Sequence, residues 1–144
     1  MHKRRTIINA IKAQLQTLNV GGVWNQRTPP TRNVWPAVTL YAEEETIDIA
    51  PGHEYPIQPR SQTRHLTLAV NVWLRCDQDA EKIEDDMDEW AVNIEQTLSN
   101  DGTIGIADLI LINSEFSVAE DDPKINVMTL TYYVMYYTEE QNPE

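Results

Sequence analysis

Residues 64–75, RHLTLAVNVWLR, alternate so regularly that only one backbone conformation suits them. Leu66, Leu68, Val70, Val72 and Leu74 fall on one side of an extended chain, and Thr67, Ala69, Asn71 and Trp73 on the other. Side chains of a strand point alternately to the two faces of its sheet, so this segment is a strand with one face in a core. INVMTLTYYVMYYT, residues 125–138, is rich in β-branched and aromatic residues and reads as a long final strand. Its Met128, Leu130, Tyr132, Val134 and Tyr136 serve the core. Val127, Thr129, Tyr133, Met135 and Tyr137 make the reverse side substantially apolar as well. Such a sheet needs cover on both faces, and large apolar patches left open usually mark contact sites.

Two helices are legible. Ile7, Ile8, Ile11, Leu15 and Leu18 recur at three- and four-residue spacing, and Gly21-Gly22 supplies a stop. Lys3, Arg4 and Arg5 have the wrong sign for the positive end of a helix dipole, so they either precede the helix or answer to a partner. From Asp77 onward, Ile83, Met87, Trp90, Ile94 and Leu98 form a second stripe, closed by Asn100, Asp101 and Gly102. Glu81, Asp85 and Asp88 lie opposite that stripe and make a dense acidic face.

Residues 25–36, NQRTPPTRNVWP, hold three prolines and no periodicity, and read as a loop. A strand follows Pro36 on the alternation of Val38, Leu40 and Ala42. Glu43, Glu44 and Glu45 read as a solvated turn or edge, and residues 46–50 either extend the strand or return as a hairpin arm. Residues 51–64 carry three further prolines and read as a long loop. Residues 109–118 form another strand, and 120–123 a turn. The expected fold is α+β: a mainly antiparallel sheet, with a mixed one also compatible, and two helices packed on one face. One domain is expected over residues 1–138, followed by a frayed acidic tail at 139–144.

Charge and cysteine usage narrow the function. The net charge of −12 argues against sequence-specific nucleic-acid binding, since phosphates attract basic surfaces. No apolar run approaches the ~20 residues of a membrane span. The amphipathic N-terminus lacks a secretory pattern, and the single cysteine, Cys76, fits a reducing compartment, so folding in the cytoplasm is expected. His2, His53 and His65 are scattered, which speaks against a metal site. Residues 84–89, EDDMDE, lack the alternating ligands and central glycine of a calcium loop. His65 and Cys76 would lie about three nanometres apart along one strand, too far to act together. No glycine-rich phosphate loop occurs. The expectation is a non-enzymatic protein with no catalytic residues, metal or cofactor.

The pieces WPAVTLY, HLTLAVNVWL, DDMDEW, ADLI and LTYYVMYY, in this order across residues 35–137, resemble the tail terminators of lambda-like long-tailed phages, the minor tail protein U family. The resemblance implies a homo-hexameric ring, assembled in the host cytoplasm and carried in the virion tail. Such a ring docks on the tail tube protein, stops tube growth and offers a surface to a head-tail connector or neck protein, with DNA passing through. The family supplies no catalytic residues. This chain departs from it in its proline-rich 51–64 loop and basic N-terminus. Two rival readings are another neck or tail-tube structural protein and a monomeric acidic protein-binding module. Protein contacts are expected at His53, Tyr55, Arg60 and Arg64 in the loop, since Tyr and Arg are enriched at interface hot spots, and at Trp73, Tyr133 and Tyr137 on the reverse sheet face. Replacing Arg60 and Arg64 by Glu is expected to weaken docking and spare the fold.

Overall fold

The computed structural model describes residues 2–30, 34–49, 60–76, 80–99, 108–119, 122, 124–139 and 142. In chain order the elements are helix α1 (Lys3–Leu15), strands β1 (Gly22–Asn25), β2 (Ala37–Ile49) and β3 (Ser61–Arg75), helix α2 (Ala80–Ser99), and strands β4 (Asp108–Val118) and β5 (Ile125–Glu139). They build one five-stranded sheet in the order β1-β2-β3-β5-β4. The strand pairs are antiparallel except β1 with β2, so the sheet is mixed and mainly antiparallel, and the fold is α+β. The alternating segment is the central strand: β3 pairs with β5 from Ser61↔Glu139 to Arg75↔Ile125.

One face carries the core. Val38 and Leu40 of β2, Leu66 to Leu74 in alternation on β3, and Met128 to Tyr136 in alternation on β5 meet Ile7, Ile8, Ile11 and Leu15 of α1 and Ile83, Met87, Ile94 and Leu98 of α2. Ile7, Ile11 and Leu15 are fully buried, and each such side chain stabilises by about 1.5–3 kcal/mol relative to exposure. Both helices therefore lie on the same face, as the two stripes predict. Glu81, Asp85 and Asp88 of α2 are exposed. Among the described residues no helix is long and apolar enough to cross a membrane.

Several expectations change. The stop at Gly21-Gly22 lies beyond the helix: α1 ends at Leu15, where Thr17 and Leu18 turn back onto the Gln14 and Leu15 carbonyls. Gly21 instead lets two backbones approach. Its N–H donates to Pro36 O at 2.7 Å, and a β-carbon there would sit 2.9 Å from that of Val34. Gly22 to Asn25, read partly as loop, form the short parallel strand β1 beside Ala37 to Leu40. Of the readings left open at the three glutamates, the extension holds and the turn does not. β2 runs on through them to Ile49, with a bulge between Ala42 and Glu44. Residues 61–64 of the expected 51–64 loop are strand instead, because β3 starts at Ser61 and pairs Gln62 and Thr63 with Ile49 and Asp48; residues 51–59 lie outside the described residues. At the other end β5 includes Glu139, to which Asn142 bridges back, within the expected tail.

Candidate functional site

The bulge in β2 decides what happens at one end of the core. An unbroken alternation from Val38, Leu40 and Ala42 would put Glu44 on the helix face. The extra residue makes it Glu45, directly opposite Leu66. Glu45 thus enters beneath the first turn of α1. Its carboxylate accepts from Arg4 Nη1 at 2.6 Å, from Arg64 Nη1 at 3.2 Å and from the Tyr136 hydroxyl. Arg64 in turn donates through Nε to Thr138 Oγ1 at 2.9 Å and through Nη2 to Gln62 Oε1 at 3.2 Å. Burial pushes the Glu45 carboxyl up, but the Tyr136 hydrogen bond and the charges of Arg4 and Arg64 outweigh it and hold it below the ordinary carboxylate range. Burial, and then the bond to Glu45, raise the Tyr136 hydroxyl well above its usual value. His2 caps α1, its Nδ1 accepting from Arg4 N at 3.1 Å; burial and the neighbouring Arg4 and Arg64 lower its pKa.

This cluster answers the question raised by the basic N-terminus. The partner of Arg4 lies within the same chain, and Lys3 Nζ donates to Tyr137 O at 2.9 Å, so these cations fasten α1 to the strand ends. Their misfit with the helix dipole is offset by these contacts. Arg64, expected in a loop, is a buried residue of β3 committed to the cluster.

The reverse face divides in two. At one end Ala37, Trp73 and Val127 are buried against Trp24, Trp35, Ala119 and Ile125. Trp73 Nε1 donates to Thr39 Oγ1 at 2.9 Å and Thr129 Oγ1 to Asn71 Oδ1 at 2.6 Å, which satisfies the polar groups of that surface. Part of the cover expected from a neighbour is therefore supplied by the chain itself. Beside this patch lies a groove of about 470 Å³, lined by Pro29, Pro30, Trp35, Tyr41, Trp73 and Val127 among others. Arg27 closes its rim, stacking 4.7 Å above Tyr41 and donating to Ala42 O at 2.6 Å.

The other end of the reverse face is open. Tyr133 is half-buried and stacked on His65, whose Nδ1 meets the Tyr133 hydroxyl while Nε2 lies 2.9 Å from Asp48 Oδ2. A neutral imidazole carrying its proton on Nε2 satisfies both, donating to Asp48 and accepting from Tyr133. Tyr137 stands 59% exposed further along. Of the residues singled out as contacts, then, Tyr133 and Tyr137 share this open surface, Trp73 is buried at the far end of the same face, and Arg64 points to the opposite one. Arg60 directly precedes β3 and is half-buried, and His53 and Tyr55 fall outside the described residues. Four apolar side chains not singled out from the sequence are more exposed than a core would allow: Ile110, Ile112, Phe116 and Val118, all on the edge strand β4. Their signal was the unbroken apolar run Leu109 to Ile112, followed by Phe116 and Val118 on one side of the strand. Among the described residues no three His, Cys, Asp or Glu side chains converge as metal ligands.

No protein-family profile matches the chain, and no curated protein matches it. Among solved structures it is similar to a chain of the virion of a native gene transfer agent particle, with a TM-score of 0.54 and 12% sequence identity, covering 90% of this chain and 93% of that one. The likeness is one of fold, over nearly the whole length of both chains.

Proposed function

We propose that this protein is a structural component of a phage-like virion, and within that class a tail terminator: a hexameric ring that docks on the finished tail tube, halts its growth and receives the neck. The observation that carries the reading is the end-to-end fold likeness to a gene transfer agent virion chain, which concerns a whole chain and not a shared fragment. The order of sequence pieces across residues 35–137 supports the finer assignment. So does the open half of the reverse sheet face, where Tyr133 and Tyr137 offer aromatic surface to a neighbour. On this reading the protein acts by assembly and not by catalysis, is made in the host cytoplasm and resides in the virion tail.

Head-to-tail contacts that close by rotation make rings, and those that fail to close make tubes. The test is therefore the size of the assembly. Native mass spectrometry and electron microscopy of the concentrated protein should give one closed species near six times 16.6 kDa. Long tubes would identify a tube subunit instead, and a monomer at every concentration, with no ring on any tail particle, would remove the terminator reading.

A further inference from the structure

The edge of the sheet at β4 combines three features. Among the described residues no strand lies beside its outer backbone, and Ile110, Ile112, Phe116 and Val118 are each more than half exposed along it. Between this edge and α2 runs a groove of about 330 Å³, bounded by Val92, Glu95 and Gln96 on the helix and Leu109 and Leu111 on the strand. Tyr132 lies in the same groove. It is only 4% exposed, yet its hydroxyl has no hydrogen-bond partner among the described residues. Buried hydroxyls are normally paired, and an orphan is costly, so a group supplied from outside would recover a real loss.

We infer that β4 is a docking edge for an extended, basic segment of another protein, which adds as a sixth strand. Main-chain hydrogen bonds to an exposed edge give such a segment affinity, and its alternate side chains give specificity. Side chains of the added strand opposite Leu109 and Leu111 would enter the groove under α2. There Glu95 faces Tyr132, and its charge, after burial, helps raise the tyrosine's pKa. A lysine or arginine placed there neutralises Glu95 and donates to the orphan hydroxyl oxygen. The surroundings select the same sign: Asp108 and Glu115 lie on β4, and Glu81, Glu84, Asp85, Asp88 and Glu89 are exposed on α2. A second copy offering its own β4 would set acid against acid, and its Arg4, Arg27 and Arg64 are already engaged internally. The inference does not need the ring to close.

The test uses the full chain, isotope-labelled for NMR, titrated with a nine-residue peptide alternating lysine and valine. Two control peptides alternate glutamate and valine, or carry the lysines and valines in two blocks. The alternating basic peptide should shift β4 amides and slow their hydrogen exchange, and should bind at least tenfold more tightly than either control. Tyr132→Phe should weaken it about fivefold, the worth of one hydrogen bond, without lowering the thermal midpoint. Glu95→Lys should weaken it at least tenfold, and Ile112→Lys, which blunts the edge, should abolish it while the fold survives. Equal binding of the acidic peptide, or shifts confined to other strands, would overturn the inference. So would self-association that Ile112→Lys removes, since that would make a second copy the occupant.

Discussion

Glu45 illustrates how far a residue's surroundings can depart from its sequence neighbourhood. Set among Glu43 and Glu44 it reads as solvated, yet it is nearly buried and joined to Arg4, Arg64 and Tyr136. Removing one member of such a pair strands the other in a poorly hydrated site. Glu45→Gln should therefore cost about 2–3 kcal/mol in urea unfolding at pH 7. Because the folded pKa of Glu45 lies below its unfolded value, its stabilisation is complete above the unfolded pKa and is lost as pH falls through the folded one. Acid titrations of stability should show this loss in the parent and lack it in Glu45→Gln. His2 acts in the same direction at higher pH: its lowered pKa means that protonation, which removes the Nδ1 acceptor, opposes folding as pH drops below about 6.5. Arg64→Glu would place a second carboxylate against Glu45. The expectation that this substitution spares the fold is replaced by a loss of about 3 kcal/mol or more, read as a lowered thermal midpoint.

At the scale of elements, what was legible followed from periodicity. The two helical stripes and the strands β3 and β5 stand where their spacing placed them, because each has one face in the core and selection by burial writes that face into the sequence. What was not legible lacked such a face. β1 has only four residues, and its Gly22, Val23, Trp24 and Asn25 are too few for alternation to register. The bulge in β2 interrupts the period, so alternation alone does not decide between a turn and a continuing strand at the three glutamates. The cluster around Glu45 joins α1, β2, β3 and β5, and no local pattern announces contacts between residues so far apart in sequence. The bulge also yields a test. Ala42 and Glu44 pair with adjacent residues, Leu68 and Thr67, so Glu43 is the extra residue. Deleting Glu43 should leave a regular ladder with Glu45 still facing Arg64, and stability within about 1 kcal/mol of the parent. Deleting Thr46 should instead flip Ile47 and Ile49 to the reverse face and destabilise far more, as equilibrium unfolding of the two variants would show.

For the whole molecule, the sheet's two faces divide the labour. The helices cover one face, the tryptophan patch closes part of the other, and Tyr133, Tyr137 and the β4 edge lie outside both. Six copies at −12 each would carry −72 formal charges, a surface that repels a passing duplex and does not hold it. The contact residues were legible only in part, since alternation assigns a side chain to a face but not to the open or the covered end of it: Trp73 and Tyr133 share a face and have opposite fates. The most direct test of the terminator reading is tube length. Purified protein added to tail-tube subunits polymerising from a tail tip should yield tubes that stop, with a ring visible at one end by electron microscopy. Tubes that grow equally long with and without the protein would contradict it.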